Sequence, residues 1–186
     1  MPRFVVLLIA GILLLAACKP PAGNKPPQLL VKNFDPNLLH TDSGWFYKGK
    51  AFNGYMIEVD RDNSILYKLP IIEGKEQGQA FGRFNTGEKL MLRNFKDGKK
   101  EGSFEQWWPN GNLHYLFNYK GDKMDGRQMV FYPNGKHRQE SNFLDGKEEG
   151  IQRQWAANGS LLSNYTIKNG TLYGIIKVKS CLPTGH

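Results

Sequence analysis

The chain has 186 residues, with 25 Lys and Arg against 17 Asp and Glu and a formal net charge of +8. That length suffices for one domain with a real core, and its two cysteines are too few for a disulfide framework. The basic excess is interspersed with acids, as in Lys99-Lys100-Glu101 and Lys147-Glu148-Glu149, which reads as solvated turns and not as a nucleic-acid face.

Residues 1–17 have the organisation of a signal peptide. Met1-Pro2-Arg3 carries a positive charge, and the twelve residues FVVLLIAGILLL form an apolar run too short to span a bilayer. The following Leu15-Ala16-Ala17-Cys18 resembles the bacterial lipobox. The resemblance implies cleavage before Cys18 and acylation of its thiol and amine. Acyl chains bury at about 0.8 kcal/mol per CH₂, so several on one residue form a durable membrane anchor. By similarity to lipoprotein sorting rules, Lys19 in place of Asp implies the outer membrane, with the domain on its periplasmic or surface side. A chain exported from the cytoplasm is expected to have no nucleic-acid partner. Its basic excess would favour anionic lipid head groups.

Residues 18–43 read as the lipidated cysteine and a Pro-rich tether, with prolines at 20, 21, 26, 27 and 36 favouring extended conformations.

From residue 44 to 179 the chain repeats itself. Gly54, Gly78, Gly102, Gly126, Gly150 and Gly174 stand 24 residues apart, and Gly87, Gly111, Gly135 and Gly159 keep the same interval. A third series, Gly74, Gly98, Gly146 and Gly170, keeps it too, with Gly121 one place early. In the unit from Gly102, GSFEQWW leads into Pro109-Asn110-Gly111, which predicts a type I turn with a glycine bulge closing a hairpin. Leu113, Tyr115, Phe117 and Tyr119 then alternate with Asn112, His114, Leu116 and Asn118, the period of a strand. The charged GDKMDG turns the chain into the next unit. The earliest unit, from Gly54, has Asp62-Asn63 where the others have the turn glycine. The fold class is therefore all-β: an antiparallel meander of roughly ten strands, about 50 Å long at about 4.8 Å per strand, and twisted. The last strand, YGIIKVKS, carries Lys177 and Lys179 as edge protection, and 180–186 is a tail.

Paired aromatics, Asn-Gly, an alternating apolar strand and a Gly-x-x-x-Gly step together resemble the MORN repeat. More closely, they resemble its variant in bacterial proteins of the YwqK type, often labelled antitoxin-like. The resemblance covers about residues 44–179 and implies a hairpin-repeat surface. It does not imply an active site.

The Gly-x-x-x-Gly steps contain Lys-Lys-Glu and Lys-Glu-Glu and so are turns, not membrane helix contacts. His40, His114, His137 and His186 have no metal-ligand spacing, though His114 and His137 fall in neighbouring units. No Gly-x-Ser-x-Gly occurs and no carboxylate pair stands out, so no catalysis, metal or cofactor is expected. With Cys18 acylated, Cys181 has no intramolecular partner. It is then buried, paired with another chain, or bound to a metal with His186. Consecutive rings at Trp107-Trp108 and Phe131-Tyr132 place one of each pair on each side of a strand. Trp107, Phe131 and Trp155 lie five residues beyond successive unit glycines and are the candidate contact residues for a protein, peptide or glycan. The resulting expectation is a lipid-anchored envelope protein that binds or scaffolds. The alternatives are an antitoxin-like component and a thiol or metal function at Cys181.

Overall fold

The computed structural model describes residues 26–175. The chain enters through β1 (Leu30–Lys32) and a small three-stranded sheet of β2 (Leu38–Thr41), β3 (Gly44–Tyr47) and β4 (Lys50–Ala51). The long sheet continues with β5 (Gly54–Val59), β6 (Ile65–Ile72), β7 (Lys75–Glu76), β8 (Gly78–Arg83), β9 (Lys89–Lys96) and β10 (Lys99–Trp107). It is completed by β11 (Leu113–Lys120), β12 (Lys123–Met124), β13 (Gly126–Phe131), β14 (His137–Leu144), β15 (Lys147–Trp155), β16 (Leu161–Lys168) and β17 (Thr171–Ile175). Its order follows the sequence from β5 onward, and every pairing is antiparallel except β1 on β5. The all-β meander is as the sequence predicts. There are more strands than ten because β1–β4 precede the earliest unit and the bulges at Gly78 and Gly126 cut short pieces, β7 and β12, from β8 and β13.

Each unit has an outer and an inner turn. At the outer turn, the N–H groups of Phe84, Trp108, Tyr132 and Ala156 donate to the carbonyls of Glu88, Asn112, Lys136 and Ser160 at 2.8–2.9 Å. The turn glycines 87, 111, 135 and 159 donate back to the same four residues at 2.8–2.9 Å. The ladder then skips a residue, at Gln106/Trp107, Val130/Phe131 and Gln154/Trp155 among others, as a glycine-bulge hairpin requires. In the first unit Asn63 takes the glycine's place at φ +60, a conformation asparagine tolerates.

The inner turn has two central residues, both at positive φ: Glu73-Gly74, Asp97-Gly98, Gly121-Asp122, Asp145-Gly146 and Asn169-Gly170. That is the type I′ hairpin turn. The early Gly121 is thereby explained. The glycine and aspartate have exchanged places, at φ +55 and +71, while the turn itself has not moved.

Units are joined through the residue before each unit glycine. Side-chain oxygens of Asn53, Gln77, Glu101, Asp125 and Glu149 accept the N–H of residues 73, 97, 121, 145 and 169 at 2.7–3.1 Å. One residue earlier, the carbonyls of Phe52, Glu76, Lys100 and Met124 accept the N–H of Gly74, Gly98, Asp122 and Gly146 at 2.8–3.0 Å. Asn94, Asn118 and Asn142 donate to the carbonyls of Ser103, Arg127 and Ile151 at 2.5–2.6 Å, just past each bulge.

The apolar core lies at the N-terminal end, where Val31, Leu38, Phe52, Met56, Leu69, Ile71 and Ala80 cluster with Trp45, Tyr47, Tyr67 and Phe95 around them. This corrects the tether expected over 18–43. From Leu30 onward that stretch is folded, because Val31 and Leu38 bury to 3% and 9% exposure and their strands find partners in β5 and β3. Further along, the same central column turns polar. Gln128 and Gln152 are 3% and 2% exposed and bond the backbone of Asn118 and Asn142. The strand backbone pairs both ends of the Gln128 amide and the Nε2 of Gln152, whose Oε1 is buried without a partner.

Gly126 stands at φ +80 with open space at its Cβ position, so Gly126→Ala costs only the left-handed backbone, about 1–2 kcal/mol. At Gly54 a Cβ would stand 2.5 Å from the carbonyl oxygen of Leu29, so Gly54→Ala must also displace β1. Urea midpoints should fall in the order wild type, Gly126→Ala, Gly54→Ala.

Candidate functional site

Trp107, Phe131 and Trp155 end β10, β13 and β15, opposite Leu113, His137 and Leu161. At Trp107 the extra residue of the bulge is on the return strand, so β10 alternates regularly up to its last residue. Trp107 therefore shares a face with Glu105, as Phe131 does with Met129 and Trp155 with Arg153. Two strands per unit space these positions about 10 Å apart. All three rings are half-buried.

The structure adds two members that the sequence reading missed. The Lys89 Nζ lies 3.6 Å from the Trp107 ring centroid, a close cation–π contact. His137 stands edge-on between Phe131 and Trp155, at 5.1 and 5.6 Å. The strip thus joins Phe131 to Trp155 through His137 and pairs Trp107 with Lys89. Lys89, Leu113, His137 and Leu161 are themselves 24 residues apart, a periodicity that could have marked them. On the same face the carboxylate of Glu140, a residue 8% exposed, accepts from Arg127 at 2.9 Å and Arg153 at 3.4 Å. Both its oxygens are paired, so this carboxylate is held in place and not left free for chemistry.

The second ring of each pair does different work. Trp108 Nε1 donates to the carbonyl of Phe131 at 3.3 Å, and the Tyr132 hydroxyl donates to that of Trp155 at 2.9 Å. These rings fasten one unit to the next.

These features define a repeat. The family model of the MORN repeat variant matches residues 100–120 and 124–145. Those two segments are MORN-variant repeats. Each begins just before a bulge glycine, and the second ends within an inner turn. No curated protein matches the chain. The units from Gly78 and Gly150 lie outside the matched residues, yet they form the same two turns; the Gly78 unit makes both inter-unit bonds of the MORN-variant pair, and the Gly150 unit the side-chain one.

Among the described residues no group of three or more His, Cys, Asp or Glu is placed to hold a metal ion. His40 stacks on Trp45 at 4.3 Å, His114 on Trp108 at 3.8 Å, and His137 belongs to the strip. Cys18, Lys177, Lys179, Cys181 and His186 lie outside the described residues.

Burial beneath Trp108 lowers the pKa of His114, and the positive charge of Arg138 lowers it further. The unfolded chain therefore takes up the proton first. The stability His114 contributes is present above its unfolded value, about 6.5, and is lost as the pH falls through the depressed one. Between neutral pH and about pH 5, below that unfolded value, wild type should lose more melting temperature than His114→Gln. Parallel losses would show that the stacking does not depend on a neutral ring.

Proposed function

We propose that this is a lipid-anchored protein of the cell envelope, related to the YwqK type, that binds or scaffolds a protein or envelope partner through the aromatic strip. It works without catalysis, and its lipid sits on Cys18 in the outer membrane. The observation that carries the binding reading is the division of labour within each aromatic pair. Trp108 and Tyr132 fasten units together, whereas Trp107, Phe131 and Trp155 make no hydrogen bond to a neighbouring unit's backbone and line one face. Rigid aromatic rings on a preformed surface supply contact area at low entropic cost, which is the composition of interface centres.

Charge argues for the same surface. All 17 acidic residues and 20 of the 25 basic ones fall among the described residues, so the sheet is nearly balanced. The other five, Arg3, Lys19, Lys25, Lys177 and Lys179, lie in the two ends. Cleavage before Cys18 would remove Arg3, so attraction to anionic head groups belongs to Lys19, Lys25, Lys177 and Lys179 at the ends, and recognition by the sheet rests on shape and aromatic contact. The anchor rests on the lipobox-like sequence at 15–18.

In-cell crosslinking and pull-down of the full-length lipidated protein test the strip, with Trp107→Ala/Phe131→Ala/Trp155→Ala as control. One protein recovered with wild type and lost with the triple variant is expected. The same proteins recovered with both would exclude the strip as the contact surface. Separately, Cys18→Ser should move the chain from the membrane to the soluble fraction, and an unchanged distribution would refute the anchor.

A further inference from the structure

On the sheet face opposite the strip, two columns run through the strands that open each unit. Residues 56, 80, 104, 128 and 152 are Met, Ala, Phe, Gln and Gln, and residues 58, 82, 106, 130 and 154 are Glu, Gly, Gln, Val and Gln. Only β8 has small residues in both columns, at Ala80 and Gly82. Alternate residues of a strand point to one side, so both lie on the same face; Ala80 is fully buried in the core, and the surface opens at Gly82. Across the ladder Gly82 stands between Tyr67 and Met91, and Ala80 is opposite Arg93. Met91 Cγ lies 2.9 Å from where a Gly82 Cβ would be, so the Met91 side chain runs over the bare glycine and floors the hollow. The resulting cavity has a volume of about 750 Å³, lined by Leu66, Tyr67, Phe84 and Met91 together with Glu58 and Arg93. That is the size and apolar character of small-molecule sites.

Its polar content is unequal. Arg93 Nε is buried without a hydrogen-bond partner, and Arg93 joins none of the three ion pairs among the described residues. Its guanidinium instead lies 5.9 Å from the Phe104 ring centroid. A buried donor left unpaired is costly, and a guanidinium presents its donors in the geometry of a carboxylate. The second arginine at the rim, Arg83, donates to the carbonyl of Gly87 at 2.9 Å. Burial raises the pKa of Tyr67, which keeps its hydroxyl protonated and able to donate. Glu58, exposed at the rim of the same hollow, forms no ion pair with Arg93.

We propose that this hollow binds a small monoanion on an apolar body, an acyl or aryl carboxylate, with the anionic group on Arg93 and the body over Met91, Leu66 and Phe84. The site exists because one unit departs from the repeat, and it is independent of the strip on the other face.

Two dyes with one ring system test it by fluorescence: anilinonaphthalene sulfonate and the uncharged phenylnaphthylamine. The full-length protein should bind the sulfonate saturably at one site, and dodecanoate or phenylbutyrate should displace it. Arg93→Met should weaken the sulfonate by about tenfold or more, the loss expected of a charge-assisted hydrogen bond, and leave the neutral dye unchanged. Gly82→Gln installs the residue that Gln106 supplies one unit later, at a backbone conformation open to any residue. It should abolish binding of both dyes with the far-UV circular dichroism unaltered. The triple strip variant should bind both dyes as wild type does. Sulfonate affinity equal in wild type and Arg93→Met, or no saturable binding by wild type, would overturn the proposal.

Discussion

Everything in the long sheet depends on how the residue before each unit glycine meets the next inner turn. The glycine's left-handed backbone breaks the ladder for one residue, which frees two acceptors. One is a carbonyl, such as that of Lys100, and the other a side-chain oxygen, such as that of Glu101. Both are taken up by the N–H groups of the next turn, those of Asp122 and Gly121. A type I′ turn leaves these donors without partners in its own hairpin, so docking satisfies what would otherwise be left to solvent. Each unit therefore depends on its neighbour and on nothing more distant, the nearest-neighbour logic of repeat proteins.

The outer edge is joined by a second set of contacts. Asn110 and Asn112 both donate to the carbonyl of Pro133, and Lys136 reaches that of Asn158. With both edges fastened, the middle of the sheet has freedom in its composition, and it uses it unevenly. Near β1 the central column is aliphatic and carries the core. Beyond Phe104 it becomes glutamine, with Gln128 and Gln152 bonded to strand backbone. One end is held chiefly by apolar burial and the other chiefly by hydrogen bonds, within one unbroken ladder.

The period, both turn positions and the strand alternation were legible in the sequence because each is enforced by one residue type at one place. The inner-turn slip at Gly121 was not, since counting glycines cannot reveal that either of two positive-φ positions will accept the glycine. The inter-unit acceptors escaped for a related reason. Asn53, Gln77, Glu101, Asp125 and Glu149 share an oxygen at the end of a short chain and no common identity. Incorporation of Leu30–Lys32 was hidden by its short length, its proline-rich surroundings and a parallel partner, β5, more than twenty residues away. Of the strip, the aromatics could be read from spacing. His137 joins it through its pairing opposite Phe131 and Lys89 through its reach over the Trp107 ring, contacts that their 24-residue spacing alone does not specify.

In such a fold the residues that keep the repeat are committed to holding it, so recognition is to be sought where that commitment lapses. There are two ways to lapse. Trp107, Phe131 and Trp155 recur in three successive units and their rings form no hydrogen bond to a neighbouring unit's backbone, the pattern of a surface extended along the axis for a partner of comparable length. Ala80 and Gly82 break their columns once and leave Arg93 without the neighbour that Phe104 or Gln128 would provide in its unit. That is the pattern of a single local hollow, open on one side. The first scales with the number of units and suits a macromolecule. The second cannot scale, and suits a ligand that fits between two strands.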